Sequence, residues 1–197
     1  MKDMYGITVD EAKLFAYDPD NDKDFSSFAT QIMNCGCDGL LGASYQNDGG
    51  LIMRAVGDLG FDKPCFGANS AYVDQVAIDI AGDYAVGWYC TADWAYQTPV
   101  EEGHKFAEDY NSKYGRYPNL NAAVTQDGVR LLINAIETAG SAEREDINNA
   151  MAKTKDFQGV TSLYTANGFN SLAQTLLVLQ NQEGGTTDVI GTVERPQ

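Results

Sequence analysis

The chain has 197 residues, of which 44% are hydrophobic and 11% aromatic, so it is long enough to bury a sizeable core. Its 13 Lys and Arg against 28 Asp and Glu give a net charge of −15, which argues against phosphate-driven nucleic-acid binding and against docking on anionic membranes. No apolar run approaches the roughly 20 residues that span a bilayer, and residues 1–20 carry no recognisable export signal.

The N-terminal part begins with apolar positions at 7–17, which predict one strand or two short pieces. An aspartate-rich loop follows at 18–24. Its acid spacing imitates the start of a calcium loop, but Lys23 replaces the required glycine and Ala29 the closing glutamate. We therefore interpret it as a polar loop in which Asp24 caps the next helix.

Helices and strands then alternate along the chain. Short buried strands are predicted at 39–43, 64–68 and 85–91, with a helix before each of them. Apolar strands that lack clean alternation and are separated by helices are typical of a parallel sheet covered on both faces, so the predicted fold class is α/β. Residues 98–153 instead predict three successive helices, and residues 160–193 return to strands.

Polar and aromatic side chains follow the predicted parallel strands, at 44–47, 68–70 and 92–94. Ligands of open α/β sheets bind at the carboxyl ends of the strands, so these segments predict a binding site. They contain no glycine-rich phosphate loop, which favours a small polar ligand over a nucleotide.

The four cysteines show no metal-binding spacing, because only Cys35 and Cys37 are close together and no Cys-x2-Cys pair occurs. Cys65 and Cys90 lie in apolar stretches, so we interpret the cysteines as buried thiols, with a metal site or a disulfide as the alternative. If the protein is exported, unused disulfides predict a reducing or anaerobic location. The single histidine, His104, is expected to be solvated on a helix.

An ordered set of short segments carries a resemblance to a known family. The segments are Asp22-Lys23-Asp24-Phe25-Ser26-Ser27, Phe61-Asp62-Lys63-Pro64 with Gly67-Ala68-Asn69-Ser70, Ile80-Ala81-Gly82-Asp83, Lys113-Tyr114-Gly115-Arg116-Tyr117-Pro118, Asp127-Gly128-Val129 and Thr154-Lys155-Asp156-Phe157-Gln158-Gly159-Val160-Thr161. Their order and spacing, over nearly the whole chain, resemble type 1 periplasmic solute-binding proteins, the branched-chain amino-acid (Leu/Ile/Val) receptors of ABC transporters.

The resemblance implies two α/β lobes that close on a ligand in the cleft between them, and a chain that holds only the later part of such a protein. Residues 1–95 would belong to the second lobe, 96–160 would be helices of the first lobe, and 161–197 would supply C-terminal strands and a crossover. The first lobe's sheet and an export signal are expected outside this chain. Helices without their sheet expose an apolar face, so self-association of the fragment is expected.

The resemblance also implies which aromatic side chains contact the ligand. Tyr45 matches an aromatic residue that lines the ligand at the exit of a second-lobe strand. Trp94 matches an aromatic residue just after the crossover strand. A tyrosine of the family is replaced here by Gln126, which is a departure from the pattern. For each position the alternative is an ordinary loop residue or a core aromatic.

The resemblance also implies a position that receives the ligand's ammonium group, and two residues of this chain can be matched to it. Matching from Gly67 selects Asn69, whereas counting back from residues 81–83 selects Ser70. Neither residue is acidic, although a carboxylate is the natural partner of an ammonium group because charge-assisted hydrogen bonds are the stronger ones. Ligands other than simple branched-chain amino acids are therefore expected, such as small polar amides, carboxylates or modified amino acids.

Three functions are compatible with the sequence. The first is an extracytoplasmic solute-binding receptor, with or without a lipid anchor, that delivers a small ligand to an ABC permease and needs no catalytic residue, metal or cofactor. The second is the same fold used as the sensor domain of a signalling receptor. The third is an intracellular α/β enzyme that uses Asp127 or the acids of 18–24, but no neighbouring residue is placed to tune an acid there. We favour the first, a binding protein rather than an enzyme.

Overall fold

The structure is a computed structural model that describes residues 13–168, 172–173 and 175–194. The described residues contain six α-helices: α1 (Ser26–Asn34), α2 (Gln46–Asp58), α3 (Gln75–Ala81), α4 (Glu101–Tyr114), α5 (Leu120–Ala139) and α6 (Arg144–Met151). They also contain eight strands: β1 (Leu40–Gly42), β2 (Cys65–Gly67), β3 (Tyr89–Ala92), β4 (Phe157–Gln158), β5 (Leu163–Ala166), β6 (Leu172–Ala173), β7 (Thr175–Asn181) and β8 (Thr187–Glu194). Short 3₁₀ helices lie at Ser70–Val73, Gly82–Ala85 and Glu183–Gly185.

The predicted alternation of helices and strands is confirmed from α1 to β3, as are the three successive helices α4 to α6. The third strand begins later than predicted because Gly82–Ala85 forms a 3₁₀ helix. For the strand predicted at 7–17, residues up to 12 lie outside the described residues, and 13–17 form no strand. Phe25 is the N-cap residue of α1 and makes no side-chain cap hydrogen bond. The Asp24 carboxylate, one residue earlier, accepts a hydrogen bond from the free N–H of Ser26 at 2.9 Å, which is the contact that the sequence predicts for it.

One compact unit consists of the described residues up to Tyr89 together with Asn181–Thr186. In this unit β1 and β2 pair in parallel, with Leu40 opposite Cys65 and Gly42 opposite Gly67, which confirms the predicted parallel pairing. Both strands are only three residues long, and each ends in a buried glycine, Gly42 and Gly67.

The side chain of Tyr72 lies at the centre of that core and is fully buried. Its ring stacks on the indole of Trp88 with a centroid distance of 5.2 Å. A Cβ atom at Gly42 or Gly67 would overlap the Tyr72 ring, so both strands use glycine to let the aromatic ring pack against their backbones. The Asn181 amide donates to the Tyr72 carbonyl oxygen at 2.9 Å and ties the returning segment to the same core.

The second compact unit consists of Cys90–Gln180 and the residues from Thr187 onward. Its strand order runs from β3 through β7 to β8, and β4, β5 and β6 form an additional antiparallel sheet. Its core contains Trp94, Ala107, Ala123 and Val160, contributed by a loop after β3, helices α4 and α5, and a loop after β4. The division between these two units falls after Tyr89. The assignment of residues 1–95, 96–160 and 161–197 to parts of two lobes stays a prediction.

Helix α5 carries apolar side chains on two faces. Ala123, Leu131 and Ala135 are buried in the second unit, whereas Leu132 and Ile133 on another face are 44% and 50% exposed. A helix that is apolar on both faces is normally buried on both. Among the described helices, none is both long enough and apolar enough to cross a membrane.

The interpretation of the cysteines as buried thiols is right for one pair and wrong for the other. Cys65 and Cys90 are free and buried, and burial raises the pKa of each thiol to about 12. Cys35 and Cys37 are partly exposed and form a disulfide. The bond can form because the left-handed conformation of Gly36 (φ +61°) turns the chain back between the two cysteines. The expectation that the protein makes no use of disulfides is therefore corrected.

Candidate functional site

The loops that follow β1 and β2 lie side by side because parallel strands end at the same edge of a sheet. The Asn69 amide nitrogen donates to the Ser44 carbonyl oxygen at 3.2 Å, joining the second loop to the first. The Asn69 amide oxygen accepts from the Ala71 N–H at 3.0 Å and caps the 3₁₀ helix that begins at Ser70. The Asn69 side chain is thus fixed in orientation and still has donor and acceptor capacity, since an amide offers two N–H groups and two lone pairs.

Tyr45 lies in the same edge region, one residue after Ser44, and is 72% exposed. It occupies the N-cap position of α2 in an extended conformation, which turns its side chain out of the helix. The phenol therefore exposes an aromatic face and a hydroxyl group to solvent. The structure brings Tyr45, Asn69 and Ser70 together in two adjoining loops of the first unit.

Asp48 is a charged group of this region that the sequence analysis missed. It is 4% exposed in the first turn of α2, three residues after Tyr45. The Tyr17 hydroxyl donates to its carboxylate at 3.3 Å, and the Lys23 ammonium nitrogen lies 3.7 Å away. Burial, followed by the negative charge of Asp48, raises the pKa of Tyr17. The signal available in the sequence was an acid in the first turn of a helix that follows a strand end.

Behind these loops, Ser44 and Tyr72 connect the candidate site to the core. The Ser44 hydroxyl donates to the Tyr72 hydroxyl oxygen at 2.9 Å, and both side chains are buried. Burial raises the pKa of Tyr72 to about 12, so the phenol stays neutral over the physiological range. The loop that carries Tyr45 is therefore held to the core through a neutral hydrogen bond.

Trp94 lies in the second unit and is 2% exposed. Its ring packs with Ala107, Ala123 and Val160, and it meets Phe106 edge to face at 6.1 Å between centroids. Its indole N–H has no hydrogen-bond partner among the described residues. Trp94 thus has the surroundings of a core aromatic, and its contact with a ligand stays a prediction.

Asp127, the acid considered for an enzyme, is buried at 3% exposure in α5. Its carboxylate accepts hydrogen bonds from the Val160 N–H at 2.6 Å, the Thr161 N–H at 2.9 Å and the Thr161 hydroxyl at 2.8 Å. A carboxylate that accepts three hydrogen bonds in this way holds the loop after β4 to helix α5. The neighbouring Gln126 is exposed.

The acids of 18–24 also bond within their own loop. The Asp18 carboxylate accepts from the Asp20 N–H at 2.9 Å and from the Asn21 amide at 2.7 Å, and these hydrogen bonds, the Asn21 one first, lower the pKa of Asp18. Within the described part of the chain, no group of three or more His, Cys, Asp or Glu is placed to hold a metal ion. His104 is exposed on α4, as predicted.

A groove of about 820 Å³ lies in the second unit, between the C-terminal ends of α5 and α6 and strand β4. Its lining is polar and includes Arg130, Asn134, Lys153 and Lys155. None of the four sequence-predicted site residues lines it. The groove therefore gives no support to the predicted ligand contacts.

Comparison with known proteins connects this geometry to a family. The family model described as periplasmic binding protein matches residues 7–186. The Leu/Ile/Val-binding protein homolog 8 of Brucella abortus (strain 2308) is 27% identical over 178 residues, which cover 84% of this chain and 44% of that protein. The chain thus spans less than half the length of this curated relative.

Two solved structures have a similar fold. The leucine-binding protein LivK from Thermotoga maritima superposes with a TM-score of 0.80 at 26% identity, over 91% of this chain and 51% of that one. The branched-chain amino-acid transporter substrate-binding protein LivJ from Streptococcus pneumoniae, solved with isoleucine, gives a TM-score of 0.79 at 25% identity, over 89% of this chain and 50% of that one. The α/β fold predicted from the sequence is confirmed by both.

Proposed function

Because the chain belongs to the periplasmic binding protein family, we propose that it is part of an extracytoplasmic receptor that delivers a small ligand to an ABC permease. The observation that supports this most directly is the orientation of Asn69. Its amide bridges the loops after β1 and β2 at the sheet edge where ligands of such folds bind. The family consists of binding proteins, and the engaged carboxylate of Asp127 favours a binding role over the enzyme alternative.

The ligand in this proposal is small and polar or amino-acid-like. Asn69 supplies a fixed amide, Ser70 a hydroxyl group, and Tyr45 an exposed ring with its own hydroxyl. All three are neutral, so they suit polar groups such as amides, hydroxyls and carboxylates better than a bare ammonium group. Trp94 belongs to the proposal only through the resemblance.

The whole receptor, in this proposal, has a first lobe whose sheet is covered by α4 to α6. The exposed apolar face of α5, with Leu132 and Ile133, supports it because such a face requires a partner surface. The proposal assigns residues 1–95 to the second lobe and residues 96–160 to helices of the first lobe. It assigns residues 161–197 to the C-terminal strands and a crossover. Retention at the cell surface by a lipid anchor is part of the same proposal.

Calorimetric titration of the full-length receptor with amino acids, their amides and small carboxylates tests the ligand assignment. We expect micromolar binding of one polar class, about −8 kcal/mol, and a loss of about tenfold or more in Asn69→Ala and Ser70→Ala. Asn121→Ala, on an exposed turn of α5, is the matched control and should bind normally. Micromolar leucine binding that neither Asn69→Ala nor Ser70→Ala changes would show that the ammonium site is assigned wrongly.

The present chain alone provides a second measurement. A single lobe makes about half of the ligand contacts, so half of −8 kcal/mol leaves an affinity of about 1 mM. Tight binding by the chain alone would contradict a cleft between two lobes. The sensor-domain alternative is distinguished by testing whether transport of the bound ligand requires the receptor.

A further inference from the structure

The disulfide between Cys35 and Cys37 is an unusual feature of the first unit. The two cysteines are separated by a single residue, Gly36, in the connection between α1 and β1. Both cysteines are partly exposed. The ring that they close contains no other element of the fold.

Such a disulfide contributes little to stability. A disulfide stabilises mainly by restricting the unfolded chain, and this restriction is smallest for the shortest loops. The disulfide also joins no distant elements of the fold, because both cysteines lie in the short connection between the end of α1 at Asn34 and the start of β1 at Leu40. Thiol–disulfide exchange therefore explains this disulfide better than stabilisation of the fold.

Backbone hydrogen bonds anchor the connection on both sides of the disulfide. On one side the Cys35 N–H donates to the Ile32 carbonyl oxygen at 3.3 Å, and Ile32 is buried. On the other side the Leu40 N–H donates to the Pro64 carbonyl oxygen at 2.9 Å. Because both flanks are anchored, the two sulfur atoms stay neighbours after cleavage, and closure is intramolecular.

The remaining cysteines do not compete for this chemistry. Cys65 and Cys90 are buried, and burial raises the pKa of each thiol to about 12, so neither forms the reactive thiolate near neutral pH. Gly36 is exposed and the two cysteines beside it are partly exposed, so a small thiol can reach this segment from solvent.

We propose that Cys35 and Cys37 form a reversible thiol–disulfide couple whose reaction partners are low-molecular-weight thiols. A partner thiolate attacks one sulfur atom and breaks the S–S bond, and the released cysteine sulfur takes up a proton. A second partner thiolate then attacks the partner's sulfur in the mixed disulfide and releases the other cysteine. In sum, two partner thiols are oxidised to one disulfide, and the protein gains two electrons and two protons.

Redox titration of the intact chain tests the proposal. The chain is equilibrated in buffers of reduced and oxidised glutathione, quenched with acid, alkylated and analysed by peptide mass spectrometry. The ratio of dithiol to disulfide at Cys35 and Cys37 should rise about tenfold for each tenfold rise in the squared reduced over the oxidised glutathione concentration. A pair that stays fully oxidised, or fully reduced, across the whole series overturns the proposal.

Single variants identify the exchanging sulfur atoms without relying on the titration. In Cys35→Ser and in Cys37→Ser, the remaining cysteine should form a mixed disulfide with oxidised glutathione, seen as one added glutathione by mass. Cys65→Ala is the matched control and should leave the dithiol-to-disulfide ratio unchanged. Absence of the mixed disulfide in both serine variants, or equal labelling of Cys65 and Cys90 in the folded chain, contradicts the assignment.

Discussion

The side-chain amide of Asn69 donates to the backbone carbonyl of Ser44 across the ends of two parallel strands, with an N···O distance of 3.2 Å. This bond joins the two loops that carry the predicted ligand contacts, and its geometry requires an N–H donor at position 69. An acid at this position would have to give up the bond to Ser44. The departure from an acidic residue is therefore coupled to the local structure as well as to ligand choice.

Asn69→Asp tests that coupling. The new carboxylate repels the Ser44 carbonyl, so the free energy of unfolding should fall by about 1 kcal/mol. It also supplies a charge for an α-ammonium group, so amino acids should bind the full-length receptor about tenfold tighter. Thermal unfolding and calorimetric titration measure the two effects, with Asn121→Asp as the control on an exposed turn. Unchanged amino-acid affinity would argue that residue 69 lies outside the ammonium site.

The close packing of Tyr72 against two strands gives a sharper prediction. Gly42→Ala and Gly67→Ala should each destabilise the chain by about 1 to 3 kcal/mol, because the new methyl group overlaps the Tyr72 ring. At Gly42 the nearest atom of the Tyr72 side chain is the hydroxyl oxygen, whereas at Gly67 it is a ring carbon. Tyr72→Phe should therefore relieve part of the Gly42→Ala cost and none of the Gly67→Ala cost in denaturant unfolding. Equal relief at both positions would contradict the packing.

Several parts of the fold could be predicted from the sequence because they depend on local patterns. Apolar runs between helical segments predicted β1 and β2, and polar residues after each strand predicted the position of Asn69. The close approach of Gly42 to Tyr72 could not be predicted, since it depends on which distant residues meet in the core. The pairing of Cys35 with Cys37 was only an alternative in the sequence, because it depends on the left-handed turn at the intervening glycine.

Contacts between distant segments explain the other differences. Asp127 gives no sign in the sequence of its bonds to Val160 and Thr161, which lie 33 and 34 residues away. The match of Trp94 to a ligand-lining aromatic rests on its position after a strand, and the same position is suited to burial between helices. Local pattern thus predicts the helix, strand or loop in which a side chain lies. Its contacts with distant segments decide whether it is buried, bonded or free to meet a ligand.

Asp127→Asn should destabilise the second unit strongly. One carboxylate oxygen becomes an NH₂ group that faces the N–H of Val160 or Thr161, so a buried donor loses its acceptor, at a cost of about 3 kcal/mol. Denaturant unfolding measures the change. Asp109→Asn removes an exposed acid of α4 and should change the free energy by less than about 0.5 kcal/mol. Similar effects of the two substitutions would exclude a structural role for the Asp127 carboxylate.

Alkaline pH should unfold the chain through two buried phenols. Burial raises the pKa of Tyr72 and Tyr164 to about 12, from an ordinary value of 10.0. Each contributes stability that is fully present below pH 10.0 and is lost as the pH rises towards about 12, because the unfolded chain releases these protons first. Phenolate absorbance and circular dichroism should therefore show the last tyrosines ionising together with unfolding. Complete ionisation in a chain that keeps its native dichroism would refute this.

The exposed apolar face of α5 should cause the chain to self-associate when it is expressed alone. Leu132 and Ile133 are 44% and 50% exposed on a helix whose other face is buried. Burial of this apolar surface against a second copy of the chain removes it from water and is therefore favourable. Light scattering should show species larger than a monomer, and Leu132→Lys with Ile133→Lys should shift them towards the monomer. Glu137→Lys, on the same helix, controls for the added positive charge. A compact wild-type monomer that binds no apolar dye would mean that this face needs no partner, and the assignment of α4 to α6 to a first lobe would lose its support.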